Sequence, residues 1–201
     1  MKFFRRSGIP EDRIPRDANG KPDLSRYRKP AAYYRDLYLS WWPAYLEETD
    51  GGKRGGPAGT TYWSRRTHGQ WGLIARGAEA VPHAMELLQS ANPDFREDGA
   101  GILGAIGADD AVVEALADSI AGDADPQVID AAVIALGQMR NRAAVPALAR
   151  LLTDSGTDGD TADLAARSLG QVVRRRFDRT GDPVGAAREW LRTHGQQATP
   201  C

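Results

Sequence analysis

Apolar residues recur along the C-terminal part of the chain in helical blocks separated by polar joints. Val81, Ala84, Leu87 and Leu88 form one stripe, Val113, Leu116 and Ile120 a second, and Val145, Leu148, Leu151 and Leu152 a third. Each stripe keeps a period near 3.6, which puts its members on one face of a helix. A polar joint follows each block, at 90–93, 122–126 and 154–160. Beyond the joints the pattern predicts second helices over 94–106, 127–139 and 161–175. Pro93 and Pro126 suit the first position of these helices, where no amide donor is required.

The blocks repeat. Gly104, Gly137 and Gly170 recur at a spacing of 33, each inside a Leu-Gly pair near the end of a second helix. Ala80-Val81-Pro82, Val112-Val113-Glu114 and Ala144-Val145-Pro146 recur at a spacing of 32. The two spacings differ because the joint lengthens by one residue per unit, and a surface joint tolerates this cheaply. A fixed period of this length marks stacked helical hairpins, none of which buries its stripe alone. The glycines suit either a close approach of neighbouring helices or a helix end. The sequence therefore predicts an all-α fold, an α-solenoid of antiparallel helix pairs.

Upstream, Pro30 opens an amphipathic segment over 31–46, with Tyr34, Leu37, Tyr38, Trp41 and Tyr45 on one face. Pro43 inside it predicts a kink or a new short helix. Trp71-Gly72-Leu73-Ile74 aligns with Leu103-Gly104-Ala105-Ile106 at a spacing of 32, so 61–75 reads as the second helix of a divergent first unit. Such a unit would cap the open end of the stack. The expected organisation is an extended N-terminal arm over 1–30, an aromatic-rich capping repeat over 31–77, repeats over 78–195 and a tail over 196–201.

The run from Asp125 to Met139, with Asp-Pro-x-Val followed by Ala-Leu-Gly-x-Met, and then Ala144-Val145-Pro146-Ala147-Leu148 resembles HEAT repeats. It is most similar to the short type named after phycobilisome lyases. The resemblance covers about 71–195, with a final half unit at 182–192. The family usually carries Arg after the Val position of the second helix. Arg96 keeps it here, whereas Ile129 and Ala162 do not. The resemblance implies that the second helices line an inner, concave surface, and that the protein works as a non-catalytic interaction module for a protein or peptide. It also implies two alternatives: a nucleic-acid-binding, DNA glycosylase-like protein, or an accessory subunit of a modifying enzyme such as a bilin-lyase-like factor.

Charge divides the chain. Residues 1–72 carry 14 basic and 8 acidic residues, and residues 73–201 carry 12 and 19. An acidic repeat region with one tryptophan, Trp190, argues against a basic nucleic-acid groove there. The single cysteine, Cys201, allows no internal disulfide and fits a reducing, cytoplasmic setting. The start has a charged end without the apolar run of a secretory signal, and no stretch approaches a membrane span.

Candidate chemistry is sparse. The repeat period places Glu97, Asp130 and Asp163 at equivalent positions. Gln138, Gln171 and Arg167 follow on the same helical faces at steps of four. Such a row suits a basic or amide-rich peptide. In the N-terminal unit, Trp41, Trp42, Arg65 and Arg66 are candidates for an aromatic, cationic partner-binding platform. Arg174-Arg175-Arg176 and Arg179 extend the last second helix, where cations match its dipole and phosphate binding is the sharper alternative. The Asp-rich joint 154–160 lacks the order and closing Glu of a calcium loop and predicts Asp160 or Thr161 as a helix N-cap. His68, His83 and His194 show no metal-ligand spacing, and no catalytic or cofactor fingerprint is present. No catalytic residue, metal or cofactor is therefore expected.

Overall fold

The computed structural model describes residues 17–19, 23–49, 61–107 and 109–194. Every regular element among them is helical. The chain divides into two compact units, Met1–His83 and Ala84–Cys201.

The first unit contains α1 (Ala31–Leu39), α2 (Trp41–Thr49) and α3 (Thr61–Arg76). Both α1 and α2 pack on α3. The predicted helix over 31–46 is broken at Ser40, whose hydroxyl donates to the Leu37 carbonyl at 2.6 Å. Pro43 is the third residue of the new helix α2, where its missing amide leaves no intrahelical bond unmade. Tyr34, Tyr38 and Trp41 are buried with Leu73. A Cβ on Gly69 would lie 2.6 Å from the Tyr38 Cα, so α1 and α3 approach backbone to backbone.

Residues 1–16 and 20–22 of the expected arm lie outside the described residues, as does the tail over 196–201. The last part of the arm is folded. Asp23 caps a 3-10 turn at Leu24–Arg26 by accepting from the Ser25 amide. Tyr27 is buried edge-on to Tyr34, with ring centroids 5.7 Å apart.

The second unit holds the end of α4 (Val81–Leu88), then α5 (Pro93–Ile106), α6 (Asp110–Gly122), α7 (Pro126–Met139), α8 (Val145–Thr153), α9 (Gly159–Val173) and α10 (Pro183–His194). Helices α5, α7 and α9 stack in succession. Helix α6 packs on α7, α8 on α9, and α10 on both α8 and α9. This is the expected α-solenoid of helix pairs, with one layer formed by the second helices. Most of each stripe faces inward: Ala84, Leu87, Leu88, Val113, Leu116, Val145, Leu148 and Leu152 are buried, while Val81, Ile120 and Leu151 are half-buried.

The joints repeat their own chemistry. Asn92, Asp125 and Asp158 share the spacing of the marker glycines, and each caps the next helix by accepting from an amide two positions on, at 2.9–3.0 Å. The last cap corrects the expectation of Asp160 or Thr161. Helix α9 begins at Gly159, and Asp158 accepts from the amides of both predicted residues. Helices α5 and α7 each begin with the anticipated proline.

Two of the three marker glycines are points of contact between repeats. A Cβ on Gly104 would meet the Ala135 Cα at 2.7 Å, and one on Gly137 would meet the Ser168 Cα at 2.8 Å. Gly170 differs, because a Cβ there would strike the Arg175 carbonyl oxygen at 2.7 Å. The chain reverses at that point, and the Arg175 amide donates to the Gly170 carbonyl.

Candidate functional site

Stacking of α5, α7 and α9 lines up one row of each helix on a shared solvent-facing side. Glu97, Asp130 and Asp163 are half-buried at the N-terminal end of the row, while Gln138, Arg167 and Gln171 are exposed further along. The acids are engaged. Thr161 Oγ1 donates to Asp130 at 2.9 Å, tying α9 to α7. Asp163 pairs with Arg167 one turn on, at 2.5 Å. The row is thus partly a set of structural ties, with side-chain amides exposed further along it.

At the C-terminal end of the same helices the character reverses. Arg140, Arg167, Arg174, Arg175 and Arg176 line one open pocket of about 840 Å³, together with Gly170, Gln171 and Asp178. Arg176 pairs with Asp178 at 3.1 Å, which holds that carboxyl below the usual range. Arg140, Arg174 and Arg175 have no acidic partner among the described residues.

The backbone at this end is unusual. Arg140 closes α7 at φ 55° and Arg174 closes α9 at φ 58°. These are the only non-glycine residues with positive φ among the described residues. The residues that follow α3 and α5 also have positive φ, and there they are Gly77 and Gly107. Glycine carries no steric penalty in this region, whereas a residue with a Cβ costs about 1 kcal/mol. The residue just past the helix is therefore glycine after two helices and arginine after the next two, although Gly107 has ψ 112° where Arg140 and Arg174 have ψ 26° and 42°. The sequence holds this signal at close to the repeat spacing, in Gly107, Arg140 and Arg174. It escapes a search for shared residues because the residue type changes.

Two members of the expected aromatic platform of the first unit, Trp41 and Arg66, are buried. Trp41 is 3% exposed and Arg66 8% exposed, and the Arg66 guanidinium lies 4.8 Å above the Trp41 ring. Trp42 is half-buried and stacks on Tyr45 at 5.5 Å. Arg65 donates to the Ser40 carbonyl at 3.2 Å, bracing the α1–α2 break. The ring face and the cation that a ligand would need are spent on each other inside the unit. A smaller basic, aromatic pocket of about 440 Å³ does open nearby, lined in part by Arg26, Lys29, Tyr33, Arg65 and His68. His68 Nδ1 lies 3.0 Å from the Tyr27 hydroxyl. Burial pushes the histidine pKa down and the tyrosine up to about 12.

No group of three or more metal-ligating side chains occurs among the described residues. No helix among them is long and apolar enough to cross a membrane.

Residues 113–188 match the family of HEAT repeats. The matched segment runs from α6 into α10 and contains the α7 and α9 ends that form the arginine pocket. Comparison with curated proteins gives no match.

Proposed function

We propose that the protein is a non-catalytic interaction module whose α5–α7–α9 face binds an extended segment of a protein partner. The HEAT repeats support this reading, since such repeats commonly serve as interaction scaffolds. The observation that carries it is the shared side itself: a continuous surface made by stacking, with exposed Gln138, Arg167 and Gln171 on neighbouring helices. Side-chain amides in a row satisfy the backbone of an extended peptide without demanding one sequence. The short joints and the Asp-Pro-x-Val signature resemble the phycobilisome-lyase type of repeat, and that likeness supports a role beside a larger protein.

The test is capture of the native partner from the source cell by the wild-type chain and by a variant carrying Asp163→Arg with Gln138→Arg. Both changes lie on the solvent-facing row and spare the Asp130–Thr161 tie. The variant should keep its helical circular dichroism and lose the captured protein. Equal capture by both would remove this face from the partner-binding role.

A further inference from the structure

We propose that the pocket formed by Arg140, Arg167, Arg174, Arg175 and Arg176 is an anion site that receives an acidic or phosphorylated stretch of the partner. This rests on the reading of the α5–α7–α9 face as the partner-binding surface and names what one end of it recognises. The pocket brings five guanidinium groups together against one carboxylate, Asp178. A helix C-terminus favours a nearby cation through its dipole. That effect is satisfied by one or two side chains and gives no reason to gather five.

The backbone supplies the second argument. Arg140 and Arg174 occupy positive-φ positions that Gly77 and Gly107 fill elsewhere in the chain. A residue kept in an unfavourable conformation, where the repeat otherwise uses glycine, points to a task for its side chain. Guanidinium groups offer forked donors that match the oxygens of a phosphate or carboxylate in pairs. Three of the five have no acidic partner among the described residues, and all three are exposed.

The surroundings select the kind of anion. No aromatic ring lines the pocket, so it offers no stacking platform for a nucleobase. The strip leading away from it passes Asp130 and Glu97, which would repel a long polyanion. A short stretch of negative charge within a peptide fits both facts. Asp130 and Arg140 lie ten residues apart on or just beyond α7, or about 15 Å along the axis. An extended peptide covers that distance in about five residues. The ligand is thus a peptide with negative charge at one end and positive charge about five residues away.

The experiment uses the full chain and a short fluorescent peptide. The peptide carries a lysine pair at one end and phosphoserine followed by two glutamates at the other. A second arm replaces phosphoserine with glutamate, and a third probe is single-stranded oligothymidylate. Binding is read by anisotropy at low and physiological salt. The phosphopeptide should bind saturably, and Arg140→Gly with Arg174→Gly should weaken it at least about tenfold, the loss expected for charge-assisted bonds. The melting temperature of that variant should stay level or rise, because glycine relieves both backbones. Arg175→Gln, at a position without positive φ, should also weaken binding. Tighter binding of the phosphorylated arm assigns the pocket to phosphate, and equal binding assigns it to carboxylate clusters; both support the site. Absence of saturable binding, indifference to the arginine changes, or equal binding of oligothymidylate would overturn it. If the peptide fails while partner capture still depends on Asp163 and Gln138, the anion site alone falls. If capture is indifferent as well, the face falls with it.

Discussion

Arg96 shows how much one side chain holds in a repeat of this kind. Its guanidinium donates to both oxygens of Asp123 at 2.7 and 2.8 Å and to the carbonyls of Ser90 and Ala91. It therefore ties the joint before α5 to the joint before α7. Asp123 in turn accepts from the Asp125 amide, behind the cap of α7. The next units place Ile129 and Ala162 at this position, so the tie is made once. Arg96→Ala would strand a mostly buried carboxylate and should destabilise the fold by about 2 kcal/mol in urea denaturation. The Arg96 guanidinium is the main reason that the Asp123 pKa lies below its usual value near 3.8. A carboxylate with a lowered native pKa stabilises the fold above its unfolded pKa, and the contribution fades as pH falls through the native value. Wild type should lose this increment in a urea series taken below about pH 4, and Asp123→Asn should show a flatter acid limb. Parallel limbs would deny the pair its role.

At the scale of elements, the glycines of α5 and α7 set the distance between repeats. Gly137 has no room for a methyl group, because the obstacles at 2.8 Å include the Ser168 Cα and Cβ as well as its hydroxyl. Gly137→Ala should force α7 and α9 apart and cost about 1–3 kcal/mol, measured by thermal or chemical unfolding. A neutral result would show that the repeats slide freely past each other. Helical stripes, joints and prolines are legible in the sequence because each obeys a local rule: period 3.6, a capping side chain, a ring at the first turn. The start of α9 is harder to read, because Asp158, Asp160 and Thr161 are all competent caps in one short run. Only the hydrogen bonds distinguish them. The break at Ser40 is half legible: Pro43 announces it without choosing between a kink and a new helix. The site is less readable still. Trp41 and Arg66 look like surface chemistry in one dimension, and packing turns them into each other's partners. The arginine pocket needs residues from two helix ends, and the chain separates Arg140 from Arg174 by a whole repeat.

For the repeat array taken whole, stability rests on neighbours rather than on a single central core. Helix α7 packs on α5, α6 and α9, while α10 packs chiefly on α8 and α9 among the described residues. Opening should therefore begin at the end of the array. Hydrogen exchange followed by mass spectrometry should find the amides of 128–137 exchanging last and those of 184–193 well ahead of them. Uniform exchange across the array would mean that it opens as one block.

Gly170 gives the row of second helices an ending. In the two preceding repeats the equivalent atom touches the helix that comes next, but here the Arg175 backbone has folded into the vacant place. The ladder is plugged by its own thread. Evolution could lengthen such a protein by copying one hairpin into the middle, where every rung already meets a rung. A copy placed directly after α9 would first have to displace the Arg175 backbone from that place.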